Sequence, residues 1–179
     1  LPGASLDLAV NQEDGTPWDF NITENREKAR ALREEQQPAL LVGSVACTAL
    51  GQIQAINASR RDPQVVARER VRAMVRSRFA WQLYQMQMDA GRYFLHGHSA
   101  GATSWKEECV ENVWRQPSVE RIVNDQCQFG QQYEGEPVMK PTGWMSNSFH
   151  IPQQQLNRRW SGPRGLCSAT CLLYTSDAA

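Results

Sequence analysis

The chain has 179 residues, 41% of them hydrophobic, and its 19 acidic and 19 basic residues cancel to zero net charge. That length suits a single domain, and the balanced charge neither favours nor excludes a nucleic-acid partner. No stretch approaches the roughly 18 consecutive apolar residues of a membrane-spanning helix. The five cysteines form no CxxC pair and no regular framework, which favours free thiols in a reducing compartment, the cytoplasm or the nucleus.

The first forty residues contain three predicted elements. "SLDLAV" (5–10) predicts a short strand, and "DGTPW" (14–18) is typical of a turn. Residues 24–37 are rich in helix formers but poor in apolar positions, which predicts a surface helix that ends before Pro38. The aliphatic residues at 40–43 then predict a buried strand.

The longest predicted helix begins at Asp62-Pro63, an N-cap followed by a proline in the first turn, and ends near Gly91. "RYFLH" (92–96) predicts a strand after it. Ser104 and Glu107 match a capping box that opens a further helix. That helix ends before Pro117, and a strand is predicted over 120–125.

Strands that alternate with helices predict an α/β domain with a mostly parallel sheet, flanking helices and right-handed crossovers. We assign this domain to residues 1–152 and an irregular tail to 153–170. The segment 171–179, "CLLYTSDAA", resembles translated read-through of a sequencing-library adapter and is excluded from the fold. The start, "LPGASLDLAV", indicates a cut inside a longer protein.

Three loops that follow predicted strands carry the candidate functional side chains. Ligands bind beyond the carboxyl ends of parallel strands, so these loops predict one composite site. The loops are "GSVACTA", "HGHSAGATSW" and "DQCQFG", and they hold Cys47, His96, His98, Ser104, Gln126, Cys127 and Gln128. Three interpretations remain open at this point. Cys47 and the two histidines hold a metal, or Cys47 is a nucleophile with a histidine base, or the thiol is structural and the histidines lie in a loop.

In this order the loops resemble motifs of DNA cytosine-5 methyltransferase-like domains. "GSVACTA" resembles the family's Pro-Pro-Cys loop, which puts Cys47 at the position of the nucleophile that attacks a flipped cytosine. "FLHGHSAGATSW", with His96 and His98, resembles the strand and loop that carry the family's catalytic glutamate, and Gly97 stands at that position. "DQCQFG" and "KPTGWMSN" resemble later motifs of a divergent group found in retroelement polyproteins.

The resemblance implies a Rossmann-like methyltransferase fold truncated at its N-terminus, with S-adenosylmethionine as cofactor and DNA as partner. Asp7 and Asp19 resemble the acids at the cofactor's ribose and adenine, and Gly43 belongs to the same expected pocket. Across about residues 5–150 the motifs keep the family's order. No metal is implied.

The departures from the family pattern concern the chemistry. Val45 and Ala46 replace the two prolines, Gly97 replaces the glutamate, and Ser99 replaces the next proline. The glycine-rich cofactor loop has no counterpart. We therefore expect a methyltransferase-like fragment that is inactive as it stands. The alternatives are a non-catalytic nucleic-acid-binding or structural module of a retrotransposon polyprotein, and a thiol or metal hydrolase.

Seven arginines crowd into residues 60–78. Their ordinary interpretation is a solvated helix face, and the alternative is a surface that faces phosphates. Helical spacing puts four of them near one stripe, which makes them the candidate nucleic-acid contacts: Arg61, Arg68, Arg72 and Arg76.

Overall fold

The computed structural model describes residues 3–44, 60–133 and 135–156. The helices are α1 (Thr23–Gln36), α2 (Pro63–Asp89) and α3 (Glu108–Trp114). Two 3₁₀ segments lie at Thr103–Lys106 and Gln126–Phe129, and a π-helical segment lies at Ile151–Leu156. The strands are β1 (Leu40–Gly43), β2 (Tyr93–Ser99), β3 (Glu120–Asp125), β4 (Gln132–Tyr133), β5 (Glu136–Pro137) and β6 (Pro141–Ser146). The expected cysteine loop and the tail from 157 onward lie outside the described residues.

Four strands form the main sheet in the order β1-β2-β6-β3, and β4 and β5 form a separate hairpin. β1 pairs with β2 in parallel, whereas β6 pairs antiparallel with both β2 and β3. The protein is therefore a mixed α/β structure whose small sheet has mostly antiparallel pairings. The expected mostly parallel sheet is not confirmed, because β6 returns between β2 and β3 in the reverse direction.

Sequence signals account well for α1 and α2. Gln37, at φ 44°, ends α1 directly before Pro38, as expected because a residue that precedes proline is disfavoured in a helix. The carboxylate of Asp62 accepts a hydrogen bond of 2.8 Å from the backbone N–H of Gln64 and caps α2. Gly91, at φ 66°, follows its last turn and confirms the predicted end.

The core lies between the sheet and α2 and α3. Phe94 of β2 and Met145 of β6 are fully buried against Trp81 and Tyr84 of α2. Burying each such side chain contributes about 1.5–3 kcal/mol. A second cluster, with Phe79 at its centre, joins α1 to α2. Leu41 of β1 packs against both clusters.

Two side-chain amides, of Gln87 and Asn147, bind the backbone at the amino ends of β1 and β2. Gln87 of α2 donates to the carbonyl oxygens of Pro38 and Tyr93, at 2.9 and 3.1 Å, and accepts from Arg33 of α1. Asn147 pins the start of β2, since it accepts from the N–H of Phe94 and donates to the carbonyl of Arg92, both at 2.9 Å. These bonds satisfy backbone groups that would be costly to bury unpaired.

Three local expectations are wrong. Residues 5–10 form no strand, because the carboxylate of Asp7 accepts from the N–H of Ala9 and closes a turn. β1 is an edge strand among the described residues, and 61% of Val42 is exposed, so this strand is not buried. Ser104 and Glu107 form no capping box: Ser104 is buried in a 3₁₀ segment, and α3 begins with no side-chain cap.

Candidate functional site

β1, β2 and β3 run in one direction, because the first two pair in parallel and β6 opposes both β2 and β3. Their last residues, Gly43, Ser99 and Asp125, therefore lie at the same edge of the sheet, which we call the carboxyl edge. Ser99 pairs with Thr142 and Asp125 with Pro141, so the loops that follow β2 and β3 flank the start of β6. Cys47 falls outside the described residues.

His96 and His98 lie inside β2 and not in the loop that follows it. Both are 3% exposed, and both project toward α2 and Trp105, with 5.8 Å between the ring centroids. Nδ1 of His96 is 3.0 Å from the hydroxyl of Tyr84. Because the two residues are two apart in a strand, their side chains lie on one face of the sheet, and this face packs against the core.

The electrostatics of His96 suit a neutral core residue. Burial, together with the nearby charge of His98, lowers the pKa of His96 to about 3, and burial raises the pKa of Tyr84 above its usual range. An imidazole that remains neutral at pH 7 donates or accepts a hydrogen bond but carries no charge. In the described part of the chain, no three His, Cys, Asp or Glu side chains are placed to hold a metal ion.

Gly97, at the position of the family's glutamate, faces away from His96 and His98. A Cβ atom at Gly97 would lie 2.5 Å from Cζ3 of Trp144 and 2.9 Å from two further atoms of that indole ring. Trp144 of β6 pairs directly with Gly97, so its side chain occupies the space above the glycine. An acidic side chain does not fit there unless Trp144 moves.

The three residues expected around S-adenosylmethionine all make local contacts. The exposed carboxylate of Asp7 closes its own turn, and Asp19 accepts hydrogen bonds of 2.9 and 2.8 Å from the backbone and side chain of Asn21. At Gly43 a Cβ atom would overlap with the hydroxyl of Tyr84, so this glycine serves close packing and leaves no room for a ligand on that side. Each residue has a local structural role.

Asp19 interacts electrostatically with two of the four candidate arginines, Arg72 and Arg76. Burial acts to raise the pKa of Asp19, but the hydrogen bonds from Asn21 and the charges of Arg76 and Arg72 outweigh it, so the pKa is lowered. Arg61 is likewise paired, with Nη2 2.6 Å from the carboxylate of Glu69. Of the four candidate arginines, Arg61 is therefore ion-paired, whereas Arg68 and Arg72 are exposed.

The amino half of α2 nevertheless extends beyond the sheet. Tyr84 of α2 lies beside His96 of β2. From this contact, α2 runs about 18 Å to Arg72, whereas β2 runs only about 10 Å to its last residue, Ser99. No residue of α2 before Ala73 is buried. We call residues 63–72 the basic arm, since it carries Arg68, Arg70 and Arg72 past the carboxyl edge.

Arg121 is a feature that the sequence did not reveal. Its guanidinium carbon lies 4.1 Å from the ring centroid of Trp105 and 5.4 Å from that of Trp114, and Nη2 donates to the carbonyl of Ala100 at 3.1 Å. Burial lowers the pKa of Arg121. A cation followed by strand residues gives no sequence signal for stacking with two distant tryptophans.

No protein-family model, curated protein or solved structure matches this chain significantly. Within the described ranges, none of the helices combines the length and apolarity needed to cross a membrane.

Proposed function

We propose that this chain is a methyltransferase-like domain whose catalytic chemistry is lost and whose remaining activity is the binding of nucleic acid at the carboxyl edge. The observation that carries the proposal is the common direction of β1, β2 and β3, which brings the ends of three motif-bearing strands to one edge. Such an edge is where α/β domains bind ligands.

The loss of catalysis follows from Gly97. In the resembled family an acid at this position protonates the target base, and general-acid help of this kind contributes about 10²–10⁴-fold in rate. Here the position lacks an acid and is covered by Trp144. Asp7 and Asp19 are engaged in local turns, which supports loss of the cofactor as well.

Nucleic-acid binding is supported by the basic arm. Arg68 and Arg72 are exposed, and Arg70 is 64% exposed although its Nη2 contacts Glu107 at 3.2 Å. A guanidinium group can form two parallel hydrogen bonds to the oxygens of one phosphate, and a cationic surface raises the association rate with a polyanion. The arm extends beyond the same edge that the motif-bearing strands share.

The test measures binding and chemistry on the same protein. Fluorescence anisotropy with labelled duplex DNA should detect binding, and the charge-reversed variant Arg68→Glu/Arg72→Glu should weaken it at least tenfold, since each lost phosphate contact costs about 1 kcal/mol or more. The matched control, Lys28→Glu/Arg78→Glu, changes the net charge equally at exposed sites away from the arm and should weaken binding much less.

Tritiated S-adenosylmethionine with the same DNA should yield no methylated product. Methyl transfer above a Cys47→Ala control would contradict the loss of chemistry. Equal affinity of the arm variant and its control would contradict binding through the arm.

A further inference from the structure

The Trp–Arg–Trp stack of Trp105, Arg121 and Trp114 holds one guanidinium in a fixed position. Trp105 is buried, and its indole N–H donates to the carbonyl of Ser99 at 2.8 Å, which anchors one side of the stack. Gly143 makes room for it, because a Cβ atom there would lie 2.8 Å from the Trp105 ring and 3.3 Å from Nη2 of Arg121. An arginine immobilised in this way loses little entropy when it binds a ligand.

The charge of Arg121 has no acidic partner among the residues that the structure describes. Its Nε is buried and forms no hydrogen bond. The nearby Arg115 differs, because its Nη2 lies 2.8 Å from the carboxylate of Glu111. A half-buried cation without a counter-charge is energetically unfavourable. An anion should therefore gain more binding free energy at Arg121 than at an exposed arginine.

One side of the stack reaches the carboxyl edge, through the contacts with Ser99 and Ala100. Arg121 belongs to β3, yet its guanidinium bonds to Ala100, the first residue after β2. The ion pair between Arg70 and Glu107 connects the basic arm to the segment that follows Trp105. Trp114, on the other side of the stack, is 42% exposed and offers an apolar ring surface to solvent.

We propose that the Trp–Arg–Trp stack is a binding site for single-stranded nucleic acid, in which Arg121 binds a backbone phosphate and exposed Trp114 stacks on a neighbouring base. Base–aromatic stacking next to a cation is the usual recognition mode for single strands. This inference rests on the proposed function and specifies the form of its ligand, since an aromatic ring reaches a base only where the base is unpaired.

The test compares three labelled probes by fluorescence anisotropy: a 12-nucleotide single strand, its duplex, and an abasic strand of equal length. Arg121→Gln should weaken binding of both single strands about tenfold or more, the loss expected for a charge-assisted hydrogen bond. Trp114→Ala should weaken binding of the base-containing strand about five- to hundredfold and leave the abasic strand unchanged. Arg115→Gln, which removes the same charge at an ion-paired neighbour, is the matched control.

The outcomes separate this site from the basic arm. If Arg121→Gln and Arg115→Gln have equal effects, or if Trp114→Ala weakens both single strands alike, the stack is not a binding site, whatever the arm variant does. If only the stack variants matter, the site stands and the role of the arm is refuted. Absence of binding by the unsubstituted chain refutes both.

A second measurement does not depend on variants that must fold. In a ¹H–¹⁵N spectrum of the unsubstituted protein, the indole signal of Trp114 should shift on titration with the single strand, and that of Trp18, which packs near Phe20 and Phe79, should not. An unchanged Trp114 signal at saturation overturns the proposal.

Discussion

Replacement of Gly97 tests the claim that Trp144 fills the position of the missing acid. In Gly97→Ala the added Cβ would come within 2.5–2.9 Å of three atoms of the Trp144 ring, so the strand or the indole must shift. Overpacking of this kind costs about 1–3 kcal/mol. Gly97→Glu should cost at least as much, because it adds the burial of a carboxyl group.

A double-mutant cycle isolates the contact. In a Trp144→Ala background the space above Gly97 is open, and Gly97→Ala should become neutral or slightly stabilising, since glycine is unfavourable in a strand. The coupling free energy between the two positions should therefore be about 1–3 kcal/mol. Guanidinium-induced unfolding of the four proteins supplies the free energies of unfolding.

Gly3→Ala is the control, because nothing lies within 4 Å of a Cβ atom at that glycine. It should change the free energy of unfolding by less than about 0.5 kcal/mol. The reasoning is refuted if Gly97→Ala is tolerated in the presence of Trp144, or if its cost is the same in both backgrounds. In either case Trp144 would not fill the position of the missing acid.

Two further predictions concern stability. The pKa of His96 is lowered to about 3 in the folded state from an unfolded value near 6.5, so the unfolded chain binds the extra proton first as the pH falls. The contribution of His96 to the free energy of unfolding is therefore complete above pH 6.5 and falls toward pH 3 by up to about 1.4 kcal/mol per pH unit. His96→Gln should remove that part of the slope in denaturant titrations between about pH 7 and 4. An unchanged slope in His96→Gln would show that other groups cause the acid sensitivity. Asp62→Ala should destabilise the protein by about 0.5–2 kcal/mol through loss of the N-cap of α2, whereas Asp62→Ser should retain most of the stability in thermal unfolding; equal losses in both variants would contradict the capping role.

Local signals predicted the elements whose stability is local. The helix formers before Pro38, the Asp62-Pro63 start and Gly91 gave the bounds of α1 and α2 within a residue or two. The bounds of the strands at 40–43 and 120–125 were also predicted correctly, although the first strand is not buried as expected. Backbone capping and the restrictions imposed by proline and glycine act within a few residues, so they can be read from sequence alone.

Long-range pairing could not be predicted in this way. β6 begins with Pro141 and contains Gly143, a composition that does not suggest a strand, yet it pairs with two neighbours inside the sheet. Proline is tolerated at the first position of a strand, and Gly143 is required because Trp105 and Arg121 pack against it. The same tertiary contacts create the Trp–Arg–Trp stack, and they place His96 and His98 in the core.

The salt dependence of DNA binding tests the central claim most directly, because it counts phosphate contacts without assuming any sequence preference. For the unsubstituted chain, the logarithm of the affinity should fall linearly with the logarithm of the salt concentration. With a duplex DNA probe, the slope for Arg68→Gln/Arg72→Gln should become shallower by about two, since each phosphate contact on duplex DNA contributes about 0.9. An unchanged slope in this variant, or salt-independent binding by the unsubstituted chain, would contradict nucleic-acid binding through the basic arm.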